Sequence, residues 1–167
     1  EGRISDRLDP DRIEMRKAGH RGGQRVVEGR LMCLAGRFFS HNGQPALLEH
    51  YQHRFGHENN PYYDPNDHRE GMPTSQRLLP EFLRSADYVT GWIGKWHLGA
   101  APEFRPSQRG FAETFGFIGG GHRYLNWKVN AAVEYTVPIE RNGRPVEVTE
   151  HLTTAFGREA AAFVRRH

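Results

Sequence analysis

Between Leu78 and Gly94 the chain carries the pattern of a short helix, an abrupt reversal and a strand covered on both faces. Pro80 suits a first helical turn, where its missing N–H is no loss, and Leu79, Phe82, Leu83 and Ala86 then recur at helical spacing on one face. Asp87 stands where the chain must leave the helix. Glycine is the usual residue there, and aspartate is among the few that tolerate a left-handed conformation. The run Tyr88-Val89-Thr90-Gly91-Trp92-Ile93-Gly94 is uncharged, aromatic and β-branched, which fits a strand buried on both sides. Helix, tight turn and buried strand make half of an α/β unit, the kind that builds parallel sheets.

Downstream, Tyr135 to Arg141 and Pro145 to Val148 flank Asn142-Gly143, the strongest short hairpin signal a sequence gives. Leu152, Phe156, Ala160, Phe163 and Val164 then mark an amphipathic helix started by Thr149 or Thr153. The predicted fold class is α/β: a mixed or parallel sheet flanked by helices, with a β-hairpin near 135–148. The chain closes at Arg165-Arg166-His167, where such a pattern would supply its next strand, so the domain reads as cut short.

A length of 167 residues suits one domain, and 23 Lys+Arg against 20 Asp+Glu leave no basic arm or acidic tail for a nucleic-acid partner. The single cysteine, Cys33, excludes an intrachain disulfide, and no apolar run approaches the ~18 residues of a membrane span. The first residues, Glu1 to Asp6, lack a signal pattern and an initiating Met, as expected of a chain that has lost a leader or is a piece of something larger. Residues 1–50 show little periodicity apart from an apolar cluster from Val26-Val27 to Phe38-Phe39. Residues 51–73 are dense in His, Asn, Asp, Gly and Pro and read as a long surface loop, a common carrier of function.

Ligands of open α/β sheets bind beyond the carboxyl ends of the strands. That rule puts Lys95 and His97 at the mouth of a site, a fixed cation beside a group that exchanges protons near neutral pH. A plainer reading makes Lys95 a solvated strand end and His97 a satisfied core imidazole. The spacing of His53 and His57 could suggest a metal pair of a zinc phosphoesterase. Phe55-Gly56 and the turn-rich run that follows argue against the helix such a pair needs, so both are read as loop histidines.

The segment Ala86-Asp87-Tyr88-Val89-Thr90-Gly91-Trp92-Ile93-Gly94-Lys95-Trp96-His97-Leu98-Gly99 resembles the second signature of the sulfatase family, within the alkaline-phosphatase superfamily. Arg105-Pro106-Ser107-Gln108-Arg109-Gly110-Phe111 followed by Glu113 to Phe117 is similar to a second family motif. Tyr51 to Pro61 resembles the segment after the nucleophile helix, and His151 to Val164 the helix before the next core strand. The resemblance covers residues 46–167, read as a partial sulfatase catalytic domain of arylsulfatase or N-acetylgalactosamine-6-sulfatase type. It implies a sulfuric ester hydrolase that cleaves sulfate monoesters through a formylglycine, matured from Cys or Ser, and a divalent cation, usually calcium (Ca2+). By the same resemblance Lys95 contacts the sulfate or the formylglycine, His97 assists its proton transfers, and His122, after three glycines, is a substrate contact or a plain surface histidine. Arg109 reads as a structural arginine that satisfies loop carbonyls. The implied partners are a sulfated small molecule or sulfated carbohydrate, and the implied compartment is periplasmic, secreted or lysosomal.

The pattern breaks before Ala46. Ser40 lies near the nucleophile slot without the Pro and Arg of Cys-x-Pro-Ser-Arg. Cys33 and Arg37 fit the looser Cys-x-Ala-x-Arg form but lie several residues too far from Tyr51. If Cys33 is matured, a formylglycine-generating enzyme is a further partner; the alternative is a buried apolar thiol. No metal ligands are identifiable, since Asp9 and Asp11 follow no strand. Residues 1–45 are accordingly read as a poorly matching segment, frame-shifted or disordered. Two functional expectations result: a sulfatase whose isolated 167 residues are inactive, or a non-catalytic remnant that binds anions without nucleophile or metal.

Overall fold

Among the described residues five strands form one mixed sheet in the order β1 (Arg30–Ala35), β2 (Tyr88–Lys95), β3 (Glu113–Phe117), β4 (Ile139–Arg141), β5 (Arg144–Val146). This computed structural model describes the backbone of Arg30–Ala35 and residues 54–57, 59–125 and 127–167. β2 runs parallel to both β1 and β3, while β4 and β5 are antiparallel to their neighbours. An inner parallel strand is covered on both faces, which is why β2 lacks polar alternation and is buried from Thr90 to Gly94.

The turns follow their local chemistry. Asp87 takes φ 62° between α1 (Leu79–Ser85) and β2, as read from the sequence. Asn142 and Gly143 take φ 49° and 76°, the signs of a two-residue type I′ turn. Asn142 also fastens that turn to β3, its Oδ1 accepting from Thr114 N at 2.8 Å and its own N–H donating to the Thr114 carbonyl at 2.9 Å.

Among the described residues two apolar clusters form the core. In one, Trp92, Trp96 and Phe111 meet edge to face with centroids 5.7 and 5.9 Å apart, joined by Met72, Leu78, Leu98 and Ile118. In the other, Ile93, Phe115, Phe117, Val137 and Ile139 receive Leu152, Ala155 and Phe163 of α2 (Leu152–Arg166). Trp92 and Ile93 alternate along β2, so they serve opposite faces of the sheet.

Four details of the elements differ from expectation. The stripe assigned to α1 does not form a core face: Leu79 and Phe82 are 37% and 43% exposed, and Pro80 is the buried residue. α2 buries Leu152, Ala155, Glu159 and Phe163, leaving Val164 53% exposed. Glu159 can enter this face because Arg141 Nη1 donates to its Oε2 at 2.6 Å, which holds the carboxyl below its usual range. The cap of α2 is His151, whose Nδ1 accepts from Thr153 N at 3.2 Å, in place of either threonine. The first arm of the hairpin is only Ile139–Arg141, because Glu134–Thr136 turn as a 3-10 segment.

Candidate active site

Parallel strands deliver their carboxyl ends to one edge of the sheet, and there Lys95 pairs in register with Phe117. The ladder runs on: Trp96 N donates to the Phe117 carbonyl at 3.0 Å, and His97 N to the Ile118 carbonyl at 3.0 Å. His97 then takes φ 61°. A left-handed residue other than glycine costs about 1–2 kcal/mol, and the reversal lets Trp96 and Leu98, both fully buried, enter the same core. Trp96 is locked there by donating Nε1–H to the Phe104 carbonyl at 2.8 Å. Lys95 and His97 are left half-buried at the edge.

His97 is hydrogen-bonded to the backbone of Pro61, which has no N–H, so a ring N–H donates to the Pro61 carbonyl. Burial pushes the imidazole from 6.5 down to about 4, and the Lys95 ammonium adds to that push. The Pro61 carbonyl opposes it, and His57 lowers the value further. At neutral pH His97 therefore keeps one N–H on Pro61 and a lone pair on its other nitrogen. That is the state of a proton acceptor beside a cation. His57, read as a loop histidine, is only 8% exposed. Burial lowers its pKa against the Gly71 carbonyl that accepts its ring N–H. No local feature of the sequence marks His57 as buried; the segments that cover it are brought in by the tertiary fold.

These two lowered histidines set a pH dependence. Between about pH 6.5 and 4 the unfolded chain holds His97 protonated while the folded chain holds it neutral, so the unfolded state binds more protons and stability falls as pH falls. Above about 6.5 the effect is absent. With allowance for the partial exposure of His97, the expected loss from pH 7.5 to 5 is about 1 kcal/mol. Urea unfolding at the two pH values checks it, and equal stabilities would refute it.

The other residues singled out from the sequence are placed as follows. Arg109 is the structural arginine expected: 2% exposed, it donates from Nη1 to the Met72 carbonyl at 2.8 Å and from Nη2 to the Gln76 carbonyl at 2.5 Å. His122 lies in the loop after β3, with one ring nitrogen 2.7 Å from the Arg123 carbonyl and the other 2.9 Å from the Val137 carbonyl. Its ring also meets Trp127 edge to face at 4.7 Å. Cys33 pairs with Gly91 in the middle of β1, four residues of β2 before Lys95. At ~3.3 Å per residue that is about 13 Å from the level of Lys95, so the fold does not bring Cys33 together with Lys95 and His97. Arg37, Ser40, His53, Asp9 and Asp11 lie outside the described residues. Among the described residues no three His, Cys, Asp or Glu side chains gather as a metal site, so they do not by themselves fit the calcium that the family resemblance implies. Among the same residues no helix is long and apolar enough to cross a membrane.

An open mixed sheet that presents a lysine and a neutral histidine at its carboxyl edge defines an α/β domain suited to an anionic group. The family model described as Sulfatase matches residues 35–166, beginning at the last residue of β1. The chain belongs to the sulfatase family. It is 50% identical over 54 residues to N-acetylgalactosamine-6-sulfatase of Homo sapiens, a match covering 32% of this chain and 10% of that protein. Against the same enzyme of Sus scrofa it is 46% identical over 85 residues, covering 51% of this chain and 16% of the relative. Among solved structures, Ps i-CgsB in complex with k-i-k-neocarrahexaose superposes with a TM-score of 0.65 at 34% identity, covering 72% of this chain and 29% of that one. The chain thus spans a minor part of the length of each of these relatives.

Proposed function

We propose that this chain is the Lys95–His97 part of a sulfuric ester hydrolase that cleaves sulfate monoesters. The observation that carries the reading is the neutral His97 held beside the Lys95 ammonium at the carboxyl edge of the sheet. In this reading Lys95 stabilises negative charge on the sulfate oxygens as the ester bond breaks, and His97 accepts a proton at its ring nitrogen not engaged by Pro61. His122 acts by shaping the loop after β3, since both of its ring nitrogens face backbone carbonyls. Sulfated carbohydrate is the favoured substrate class, because the relatives include a sulfatase named for N-acetylgalactosamine 6-sulfate and a structure in complex with neocarrahexaose. A periplasmic, secreted or lysosomal setting and maturation by a formylglycine-generating enzyme accompany this reading. The formylglycine and the calcium expected of the family belong to this reading, and the described residues do not by themselves form a site for the cation. The domain division into 1–45 and 46–167 is likewise proposed.

The test is release of inorganic sulfate from an aryl sulfate by the full-length gene product, with and without added Ca2+. Turnover that needs the cation supports the reading. Sulfate binding without turnover overturns it in favour of a non-catalytic anion-binding module.

A further inference from the structure

A circuit of backbone and ring contacts closes around His97. His57 donates a ring N–H to the Gly71 carbonyl. Gly71 forms an antiparallel bridge with Gly99, and Met72 N donates to the Leu98 carbonyl at 2.8 Å, so residues 71–72 are zipped to the two residues that follow His97. The approach is close: a Cβ on Gly99 would lie 2.7 Å from the Gly71 Cα. His97 in turn donates to the Pro61 carbonyl, four residues beyond His57, which completes the circuit. His57, Pro61 and Gly71 also form walls of one cavity of about 230 Å³, shared with Asn59, Arg69 and Glu70.

We propose that His57 is a positioning residue for His97: by donating to Gly71 it holds its part of the chain so that the Pro61 carbonyl meets the His97 ring and selects which of its nitrogens carries the proton. His97 is held at φ 61° with its own N–H committed to the Ile118 carbonyl just past β3, so its ring cannot follow a moving acceptor; the acceptor has to be brought to it. The buried His57 ring is anchored on Gly71 four residues before that acceptor, and a neutral imidazole whose N–H is engaged offers the reaction a single, defined tautomer. The charged and titratable groups that act on His97 are Lys95 from β2 and His57; Arg69 and Glu70 share the cavity with His57. The value of this device to catalysis rests on the sulfate-ester reading, whereas the hydrogen-bond circuit does not.

The experiment is 15N NMR of the histidine rings in the full chain, without substrate. In the unsubstituted protein His97 is expected as one tautomer from pH 5 to 8, with a midpoint near 4. His57→Phe keeps a buried ring without the donor and is expected to mix the His97 tautomers, because the Pro61 carbonyl is no longer held to one ring nitrogen. His57→Gln keeps an N–H donor and is expected to retain the single tautomer. An unchanged His97 in a folded His57→Phe protein would overturn the proposal. Should His57→Phe fail to fold, the unsubstituted chain decides. His97 nitrogen shifts must respond when acid protonates His57, and shifts indifferent to that event overturn it. Because no turnover is read, absence of sulfatase activity defeats the functional reading alone.

Discussion

If the proposed sulfatase reading holds, replacing Lys95 with alanine in the full-length gene product is expected to lower kcat/KM for an aryl sulfate by about 10²–10³, the range found when one preorganised charge-stabilising donor is removed from an active site. The loss is expected mainly on kcat, because in that reading the ammonium matters most where charge accumulates on the sulfate oxygens. A second readout moves in a direction that general damage would not produce. Lys95 is the second-largest cause of the depressed His97 pKa, so its removal raises the His97 midpoint from about 4, while burial still keeps it below 6.5. Lys95→Arg restores the charge and hence the His97 midpoint, but only part of the rate, since a planar fork does not reproduce a compact ammonium. A Lys95→Ala protein with wild-type kcat/KM would remove Lys95 from the machinery.

Gly116→Ala destabilises the chain by about 3 kcal/mol or more, the upper end of what overpacking costs. Gly116 sits directly opposite Gly94 in the parallel β2–β3 pair. A Cβ there overlaps the Gly94 carbonyl oxygen and lies 2.8 Å from both the Gly94 carbonyl carbon and the Trp92 ring edge. Neither neighbour can yield cheaply: the Gly94 carbonyl is fixed in backbone between paired strands, and Trp92 is 1% exposed and packed edge to face on Trp96. Separating the strands would also disturb the bonds from Trp96 N and His97 N to the end of β3, so the site is lost with the sheet. Chemical denaturation measures the effect, and a change below about 1 kcal/mol would show that the two strands adapt.

Several elements were legible because their signals are local. The left-handed Asp87, the Asn142-Gly143 turn and the two-sided strand ahead of Lys95 each follow from φ/ψ preference or side-chain type over a few residues. The resemblance around Ala86 to Gly99 placed Lys95 and His97 for the same reason, since a strand and the residues just past it travel together. β1 was not legible: residues 30–35 carry no clear alternation, and the backbone becomes a strand by pairing with β2. The stripe of α1 failed for a related reason, because helical spacing says which residues share a face and not whether anything covers that face.

Local chemistry along the chain is enough to set the punctuation of this protein, an α/β order with Lys95 and His97 at a strand end, because dihedral preference and side-chain type act over a few residues. Burial and protonation came from the folded arrangement. It buried His57, carried the Pro61 carbonyl to the His97 ring, paired Glu159 with Arg141 so that a charge could enter a helix face, and set Cys33 far down β1. Desolvation and hydrogen-bond satisfaction depend on which distant segments arrive at a residue, and those segments are brought there by the fold as a whole.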